Sequence, residues 1–286
     1  MSTETRIPRA LSIAGSDCGG GAGIQADLKA FAACGVHGMT AVTAITAQNT
    51  VGVSAVHPIP PEIIIAQVRA VAQDIGVDAV KVGMLGDRVT IEAVARALSE
   101  LPDATPVVLD PVMVAESGAR LLAADARTTL IEALLPRATV LTPNLPEARA
   151  LLDDEREDDA ERLARRIHAL GPGAVVVTGG HRKSATDVFF DGEQLVELPG
   201  PRHPSGAAHG SGCTHSSVLA ARLAHGDDPL GAARIARQLA SRAVGQGLTA
   251  IGAGAGPVDV LGIASKAHKT GSSAQSRDRA AGTVLT

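Results

Sequence analysis

A glycine-rich turn runs directly into an apolar helix in residues 206–219, whose sequence is GAAHGSGCTHSSVL. The first amides of a helix have no partner within the helix, and the helix dipole gives that end partial positive charge. The stretch therefore predicts an anion site suited to phosphate, formed by Gly210, Ser211, Gly212 and Cys213. Because Cys213 stands at the helix start, we expect its thiolate to be favoured. The alternative is a loop that merely begins a helix and contains a small buried cysteine.

Apolar runs typical of strands alternate with helical patterns on both sides of this stretch. Strands are predicted at residues 10–14, 39–46, 79–82, 107–110, 139–142, 174–178, 187–190 and 194–198. Helices are predicted at residues 24–34, 60–74, 87–100, 125–135, 158–170, 213–223 and 229–247. Asp87 is a candidate N-cap, and Asp191 with Gly192 indicates a hairpin. This alternation predicts an α/β fold with a mostly parallel sheet.

The composition is typical of a folded protein with a sizeable core. The chain has 286 residues, of which 45% are hydrophobic, and a net charge of −4. Slight acidity and the absence of Trp and Tyr argue against nucleic acid as a partner. We expect no membrane span, because no apolar run approaches about 20 residues. Three scattered cysteines and an N-terminus without a signal-peptide core favour a cytoplasmic protein without disulfides.

Polar side chains follow several of the predicted strands, where ligands bind in a parallel sheet. Asp110 ends one strand, and Asn144 and Glu147 form an N-x-x-E unit after another. Carboxylates and amides beside transferring phosphates usually hold Mg²⁺. The alternatives are that Asp110 caps its strand and that Glu147 complements a helix dipole. The sequence has no Walker-type phosphate loop, so a nucleoside triphosphate would have to be bound in another way.

Eight segments together resemble the hydroxymethylpyrimidine/phosphomethylpyrimidine kinases of thiamine biosynthesis, in the ribokinase-like superfamily. They are SIAGSD (12–17), GGAGIQADLK (20–29), AQNT (47–50), GML (83–85), LDPVM (109–113), TPNLPEA (142–148), GGH (179–181) and HGSGCT (209–214). The segments follow one another in order over most of the chain, which makes the resemblance specific.

The resemblance implies one ribokinase-like α/β domain, with a mostly parallel central sheet and helices on both faces. We place this domain at residues 8–262 and expect a polar, flexible tail at residues 263–286. The implied activity is ATP-dependent phosphorylation of 4-amino-5-hydroxymethyl-2-methylpyrimidine and then of its monophosphate, with Mg²⁺. The resemblance also implies a homodimer.

Carried over position by position, the resemblance assigns roles to the matching residues. The pyrimidine would lie against Gly15, Asp27, Gln48, Met84 and Val112. Asp110 and Glu147 would hold Mg²⁺. The nucleotide would lie near Asn144, Thr178 and Gly180. The anion site would comprise Gly210, Ser211, Gly212 and Cys213, with Cys213 acting on the substrate hydroxyl.

One departure from the family pattern bears on nucleotide binding. Thr178 stands where the family usually has lysine before Gly-Gly-His, so a cationic phosphate contact is missing, and Arg182 or Lys183 could replace it.

Two other functions stay open. A pyridoxal or pyridoxine kinase would use the same scaffold, and a vitamin-binding protein could retain the fold without catalysis.

Overall fold

The computed structural model describes residues 6–114, 121–123, 125–181, 185–204 and 206–266. Within these ranges the strands are β1 (Arg9–Ala14), β2 (His37–Val42), β3 (Ala44–Gln48), β4 (Val53–Pro58), β5 (Ala79–Val82), β6 (Val107–Leu109), β7 (Val140–Leu141), β8 (Val175–Val177), β9 (Asp187–Phe190) and β10 (Leu195–Leu198). The α-helices are α1 (Gly23–Ala33), α2 (Pro61–Asp74), α3 (Arg88–Leu98), α4 (Ala126–Ala133), α5 (Leu145–Leu152), α6 (Ala160–His168), α7 (Ser211–Ala224) and α8 (Pro229–Gly245).

The main sheet has eight strands in the order β10-β9-β8-β7-β6-β5-β1-β2. Its strands from β8 to β2 pair in parallel, whereas β9 and β10 pair antiparallel. Along β5 the side chains of Val80 and Val82 join one apolar cluster and Ala79 joins the other, as the two-residue period of a strand requires. The predicted α/β fold with a mostly parallel sheet is confirmed.

Each face of the sheet is covered by its own set of helices. Ile64 of α2, Ile91 of α3 and Leu163 of α6 are fully buried in the first cluster. Phe31 of α1 and Val218 of α7 are fully buried in the second, together with alanines of α8. Burial of both faces explains why the central strands are continuous apolar runs in the sequence.

The structure corrects one strand prediction. The single strand predicted at residues 39–46 is two strands, β2 and β3, interrupted at Thr43. The Thr43 hydroxyl donates to the Met84 carbonyl at 2.8 Å, and its amide donates to the Ala14 carbonyl at 3.0 Å. The strand β3 leaves the main sheet and pairs antiparallel with β4, which was not predicted because its residues are mostly exposed and lack a buried alternation.

The predicted helices are present with ends that differ by one or two residues, and α7 is longer than predicted at both ends. Asp87 caps α3 by accepting from the Thr90 amide at 2.8 Å. Residues 263–266 form a helical turn whose Ile263 and Ala264 amides donate to Asp259, so the beginning of the expected tail has local structure. The rest of that tail, residues 267–286, lies outside the described residues, and the domain boundary stays a prediction. In the described ranges, no helix combines the length and apolarity needed to cross a membrane.

Candidate active site

A cavity of about 560 Å³ lies at the carboxyl ends of the parallel strands. Its size is within the range of small-molecule sites. The sequence-predicted site residues in its wall are Gly15, Gln48, Met84, Asp110, Val112, Asn144, Glu147, Thr178, Gly180, Gly210, Ser211, Gly212 and Cys213. The fold therefore brings together residues that lie almost 200 positions apart, because parallel strands end at one edge of the sheet.

The strand order gives the cavity two ends and a middle. Gly15 and Met84 follow β1 and β5 at one end, which we call the β1–β5 end. Thr178 and Gly180 follow β8 at the opposite end, the β8–β9 end. Asp110 follows β6 between them, and the first turn of α7 lies in the wall as well.

Two helices begin at the cavity wall, and close backbone packing at glycines makes this possible. Gly210 precedes α7 with φ +80°, and a Cβ there would collide with the carbonyl oxygen of Gly21. Gly23 begins α1 with φ +56°, and a Cβ there would collide with the carbonyl oxygen of Gly15. Both positions thus require glycine for steric and conformational reasons. The first-turn amides of Gly212 and Cys213 have no hydrogen-bond acceptor within the helix, so they are suited to binding an anion.

The expectation that the Cys213 thiolate is favoured at the helix start is wrong. Burial raises the pKa of the Cys213 thiol to about 12, although the charge of Lys81 opposes the shift, and Asp27 and Asp110 reinforce it. Two nearby carboxylates and desolvation therefore outweigh the favourable position at a helix start. The thiol is protonated at neutral pH in this structure.

Asp27, which the resemblance assigned to the pyrimidine, lies outside the cavity wall and is fully buried. Its two carboxylate oxygens accept from the Lys81 ammonium at 2.9 and 3.1 Å. They also accept from Ser12 at 2.6 Å and from Ser217 at 2.7 Å. Because these donors satisfy the carboxylate, the assignment of Asp27 as a direct substrate ligand is wrong.

Lys81 is the residue that sequence reasoning missed at this point. It is fully buried on β5, it lines the cavity, and its charge reaches both Cys213 and Asp110. Burial lowers the pKa of Lys81, but the charges of Asp27, Cys213 and Asp110 and the hydrogen bond to Asp27 together outweigh burial and raise it overall, so the ammonium stays charged. A lysine inside the short apolar strand AVKV was the signal, since such a lysine needs a buried partner.

Asp110 and Glu147 form a buried acidic pair in the cavity wall. Burial raises the pKa of Asp110, against the opposing charge of Lys81. Burial and the charge of Asp110 raise the pKa of Glu147 to about 8. Burial and mutual repulsion make it costly for the two carboxylates to be ionised at the same time. A hard divalent cation between them would stabilise both ionised forms, so these residues fit Mg²⁺. No cluster of three or more His, Cys, Asp or Glu suited to a metal occurs among the described residues.

Glu147 also has a structural contact, as the alternative interpretation suggested. Asn144 caps α5 by accepting from the Glu147 amide at 2.9 Å, while the Glu147 carboxylate accepts from the Asn144 amide at 2.9 Å. This capping box uses one carboxylate oxygen and fixes the side chain toward the cavity. The Met113 backbone also donates a hydrogen bond to this carboxylate, so two backbone groups hold the side chain in place.

A second missed pair shapes the glycine-rich loop at residues 17–22. Asp17 is fully buried and accepts from the amides of Gly19, Gly21 and Ala22 at 2.8–3.0 Å. His209, in the cavity wall, contacts the same carboxylate through Nε2 at 2.9 Å. The pair ties this loop to the turn before α7, so the two glycine-rich segments of the sequence form one wall.

Thr178, which the resemblance assigns to the nucleotide, brings no charge to the cavity. Its amide donates to the Pro143 carbonyl at 2.9 Å, and its residue lies in the wall at the β8–β9 end. Arg182 and Lys183, considered as replacements for the missing lysine, lie outside the described residues. Asp187, His215 and Arg237 line the same end of the cavity and were not predicted.

The profile of the phosphomethylpyrimidine kinase family matches residues 17–259. The chain belongs to this family. Among its relatives, the hydroxymethylpyrimidine/phosphomethylpyrimidine kinase of Rhizobium meliloti is 51% identical over 257 residues, which cover 87% of this chain and 95% of the relative. The expectation of a phosphotransferase is confirmed by this family membership.

Solved structures of two related kinases share the fold. The ADP complex of Bacillus subtilis pyridoxal kinase is 38% identical, with a TM-score of 0.81, and the alignment covers 90% of this chain and 99% of that one. The phosphomethylpyrimidine kinase of Clostridium difficile is 39% identical, with a TM-score of 0.71 and coverage of 82% and 97%. The ribokinase-like architecture is confirmed.

Replacing Asp27 by asparagine tests the buried ion pair. Asp27→Asn leaves the Lys81 ammonium buried without a counter-charge, so we expect the free energy of unfolding to fall by about 3–5 kcal/mol. Urea unfolding measures the change. The control is Glu100→Gln, which removes only the exposed contact with Arg69 and should change stability little. A loss of stability for Asp27→Asn no larger than that of the control would contradict the role of Asp27 as the counter-charge of Lys81.

The pKa of Glu147 predicts how stability depends on pH in the Mg²⁺-free protein. The folded pKa of about 8 exceeds the ordinary 4.5, so the folded state binds the proton more tightly. Stability from this group is complete below the unfolded pKa and is lost as pH rises through the folded value, by roughly 1.4 kcal/mol per pH unit in that interval. We expect Glu147→Gln to flatten this decline in the free energy of unfolding, measured by urea titrations between about pH 5 and 9. An unchanged slope in the variant would contradict the shift.

Proposed function

We propose that this protein transfers the γ-phosphoryl group of ATP to 4-amino-5-hydroxymethyl-2-methylpyrimidine, and then phosphorylates the monophosphate to the diphosphate. The observation that carries the proposal is the first turn of α7, which lies in the cavity wall together with Lys81, Asp110 and Glu147. Phosphoryl transfer needs positioning and charge neutralisation more than covalent chemistry, and these groups provide both.

The β1–β5 end suits a neutral aminopyrimidine. The Gln48 side chain offers both a donor and an acceptor, which match the exocyclic amine and ring nitrogens. Met84 packs so closely on Gly15 that a Cβ at Gly15 would collide with its methyl group. A thioether beside a backbone without a side chain forms a slot suited to a flat ring. Val112 adds apolar surface to the same cavity.

In the first step, the substrate hydroxyl oxygen forms a bond to the γ-phosphorus while the bond from that phosphorus to the ADP oxygen breaks. The amides of Gly212 and Cys213 hold the transferred phosphoryl oxygens. The hydroxyl proton passes to Sγ of Cys213, in its thiolate form, and then to water. The positive charge of Lys81 favours that thiolate, because it lowers the pKa of Cys213 against the effect of burial.

The metal and the nucleotide take the remaining positions. Asp110 and Glu147 would hold Mg²⁺, which neutralises phosphate charge and orients the phosphate chain when bound. The nucleotide lies toward the β8–β9 end, with Asn144, Thr178 and Gly180 in its wall. In the second step the substrate phosphate is the nucleophile, so its added charge makes the cations of the site more important.

The high pKa of Cys213 predicts an alkaline pH profile. At neutral pH the thiolate is a minor species, and its fraction rises about tenfold per pH unit below the pKa. With saturating Mg²⁺, we expect kcat/KM to rise between about pH 7 and 9 along with that fraction. Cys213→Ala should lower the rate by at least about a hundredfold and remove the pH dependence. Near-wild-type turnover in Cys213→Ala would exclude a catalytic role.

Product analysis tests the function itself. The purified protein is incubated with Mg-ATP and either the hydroxymethylpyrimidine or pyridoxal, and products are followed by mass spectrometry. We expect pyrimidine monophosphate followed by diphosphate. Monophosphate alone would contradict the second step. Product from pyridoxal only would assign the protein to the pyridoxal kinases, which the similarity to the Bacillus subtilis enzyme keeps as the second candidate. No product from either would favour a silent binding protein.

We also propose a cytoplasmic homodimer whose described core, within residues 8–262, is one domain. Cys18, Cys34 and Cys213 are free thiols, as a reducing compartment would keep them.

Ile45 and Val56 on the two-stranded sheet are about half exposed, at 53% and 48%, and a second copy would cover them. Light scattering that gives the mass of one chain would contradict the dimer.

A further inference from the structure

Three buried polar side chains from three different elements meet at the β8–β9 end of the cavity. Asp187 begins β9, His215 lies in the second turn of α7, and Arg237 lies in α8; we call them the nucleotide-end cluster. Nε2 of His215 is 3.3 Å from Oδ2 of Asp187, and Nε of Arg237 is 3.6 Å from Oδ1. The side chains are only 3%, 6% and 14% exposed for Asp187, His215 and Arg237, and all three line the cavity.

The cluster has unused hydrogen-bonding capacity. Both ring nitrogens of His215, Oδ2 of Asp187 and Nε of Arg237 are buried without a hydrogen-bond partner in the described part of the chain. The His215–Asp187 contact is close enough for an ion pair but is not aligned for a hydrogen bond. Each buried polar atom left in this way destabilises the folded state, and such atoms call for a ligand or another explanation.

The rest of the cluster is anchored to the backbone. Oδ1 of Asp187 accepts from the Gly179 amide at 2.7 Å. A terminal nitrogen of Arg237 donates to the Ala185 carbonyl. These bonds fix Asp187 and Arg237 beside the turn that contains Gly180, so both are held in place before any ligand binds. His215 has no such anchor within the described residues, and its ring faces the cavity.

The charges of the cluster favour an anion over a cation. Arg237 is cationic, His215 can donate from its ring, and the single acid of the cluster already accepts from a backbone amide. Outside the cluster, the charge of His215 also acts on Asp110. His215 lies four positions after Ser211, so the two lie on one face of α7, about 6 Å apart along the helix axis. That spacing continues a row of donors from the α7 amides toward the β8–β9 end.

We propose that His215 and Arg237, which both lie beside Asp187, bind the phosphate chain of the nucleotide on the side that leaves as ADP. This inference rests on the proposed kinase function and names the residues that supply the donors at an end of the cavity where Thr178 supplies no charge. The transferred phosphoryl group lies at the α7 amides, and the remaining phosphates of a nucleoside triphosphate extend toward the cluster.

Calorimetric binding of two ligands to His215→Leu tests the proposal, because the ligands differ only in their phosphates. For ADP we expect affinity to fall roughly tenfold, the usual effect of losing a hydrogen bond to a charged group. For adenosine we expect no change. His37→Leu is the matched control, since His37 is exposed at the start of β2 and should leave both affinities unchanged.

A second variant separates a lost contact from a damaged fold. His215→Gln keeps a side-chain donor, so we expect it to recover part of the ADP affinity that His215→Leu loses. Wild-type ADP affinity in His215→Leu would overturn the proposal, and so would an equal loss for adenosine. Neither result bears on whether the wild-type protein phosphorylates the pyrimidine. In contrast, failure of the wild-type protein to bind ADP would remove the proposed function itself.

Discussion

The buried ion pair between Asp27 and Lys81 is the interaction on which the rest of the site depends. Ser12 of β1 and Ser217 of α7 donate to the same carboxylate, so one acid joins β1, α1, β5 and α7. Both α1 and α7 begin at the cavity wall. A change in this network would therefore move two helix starts together with the ammonium between them. Desolvation offsets much of the attraction in a buried pair, so its main consequence is position rather than stability.

Electrostatics around Lys81 explain why the site is suited to charged ligands. Asp110, Glu147 and Cys213 all have raised pKa values because burial disfavours their ionised forms. A single ammonium cannot neutralise three potential anions at once. Ligands that bring a divalent cation and polyphosphate into the cavity change this balance, which couples protonation of the site to their binding.

The fold was largely predictable because its signals are local. Central strands buried on both faces, such as β6 and β8, are continuous apolar runs, and Asp87 caps its helix as predicted. The strand β4 escaped prediction because exposed strands have no apolar alternation. The motif residues lie in one cavity because the carboxyl ends of parallel strands lie at the same edge of the sheet. Lys81 was missed and Asp27 was given the wrong partner, since the roles of both depend on a contact across 54 positions. The nucleotide-end cluster joins three elements in the same long-range way.

Turnover of a variant that lacks both members of the buried pair tests most directly whether the pair positions the transfer site. The double variant Asp27→Leu with Lys81→Met replaces two opposite charges by apolar groups and should recover much of the stability that a single replacement loses. The measurement is kcat with Mg-ATP and the hydroxymethylpyrimidine, in protein shown to be folded by circular dichroism. We predict a folded protein whose kcat is lower by about a hundredfold or more. A kcat within a few-fold of wild type would contradict this account.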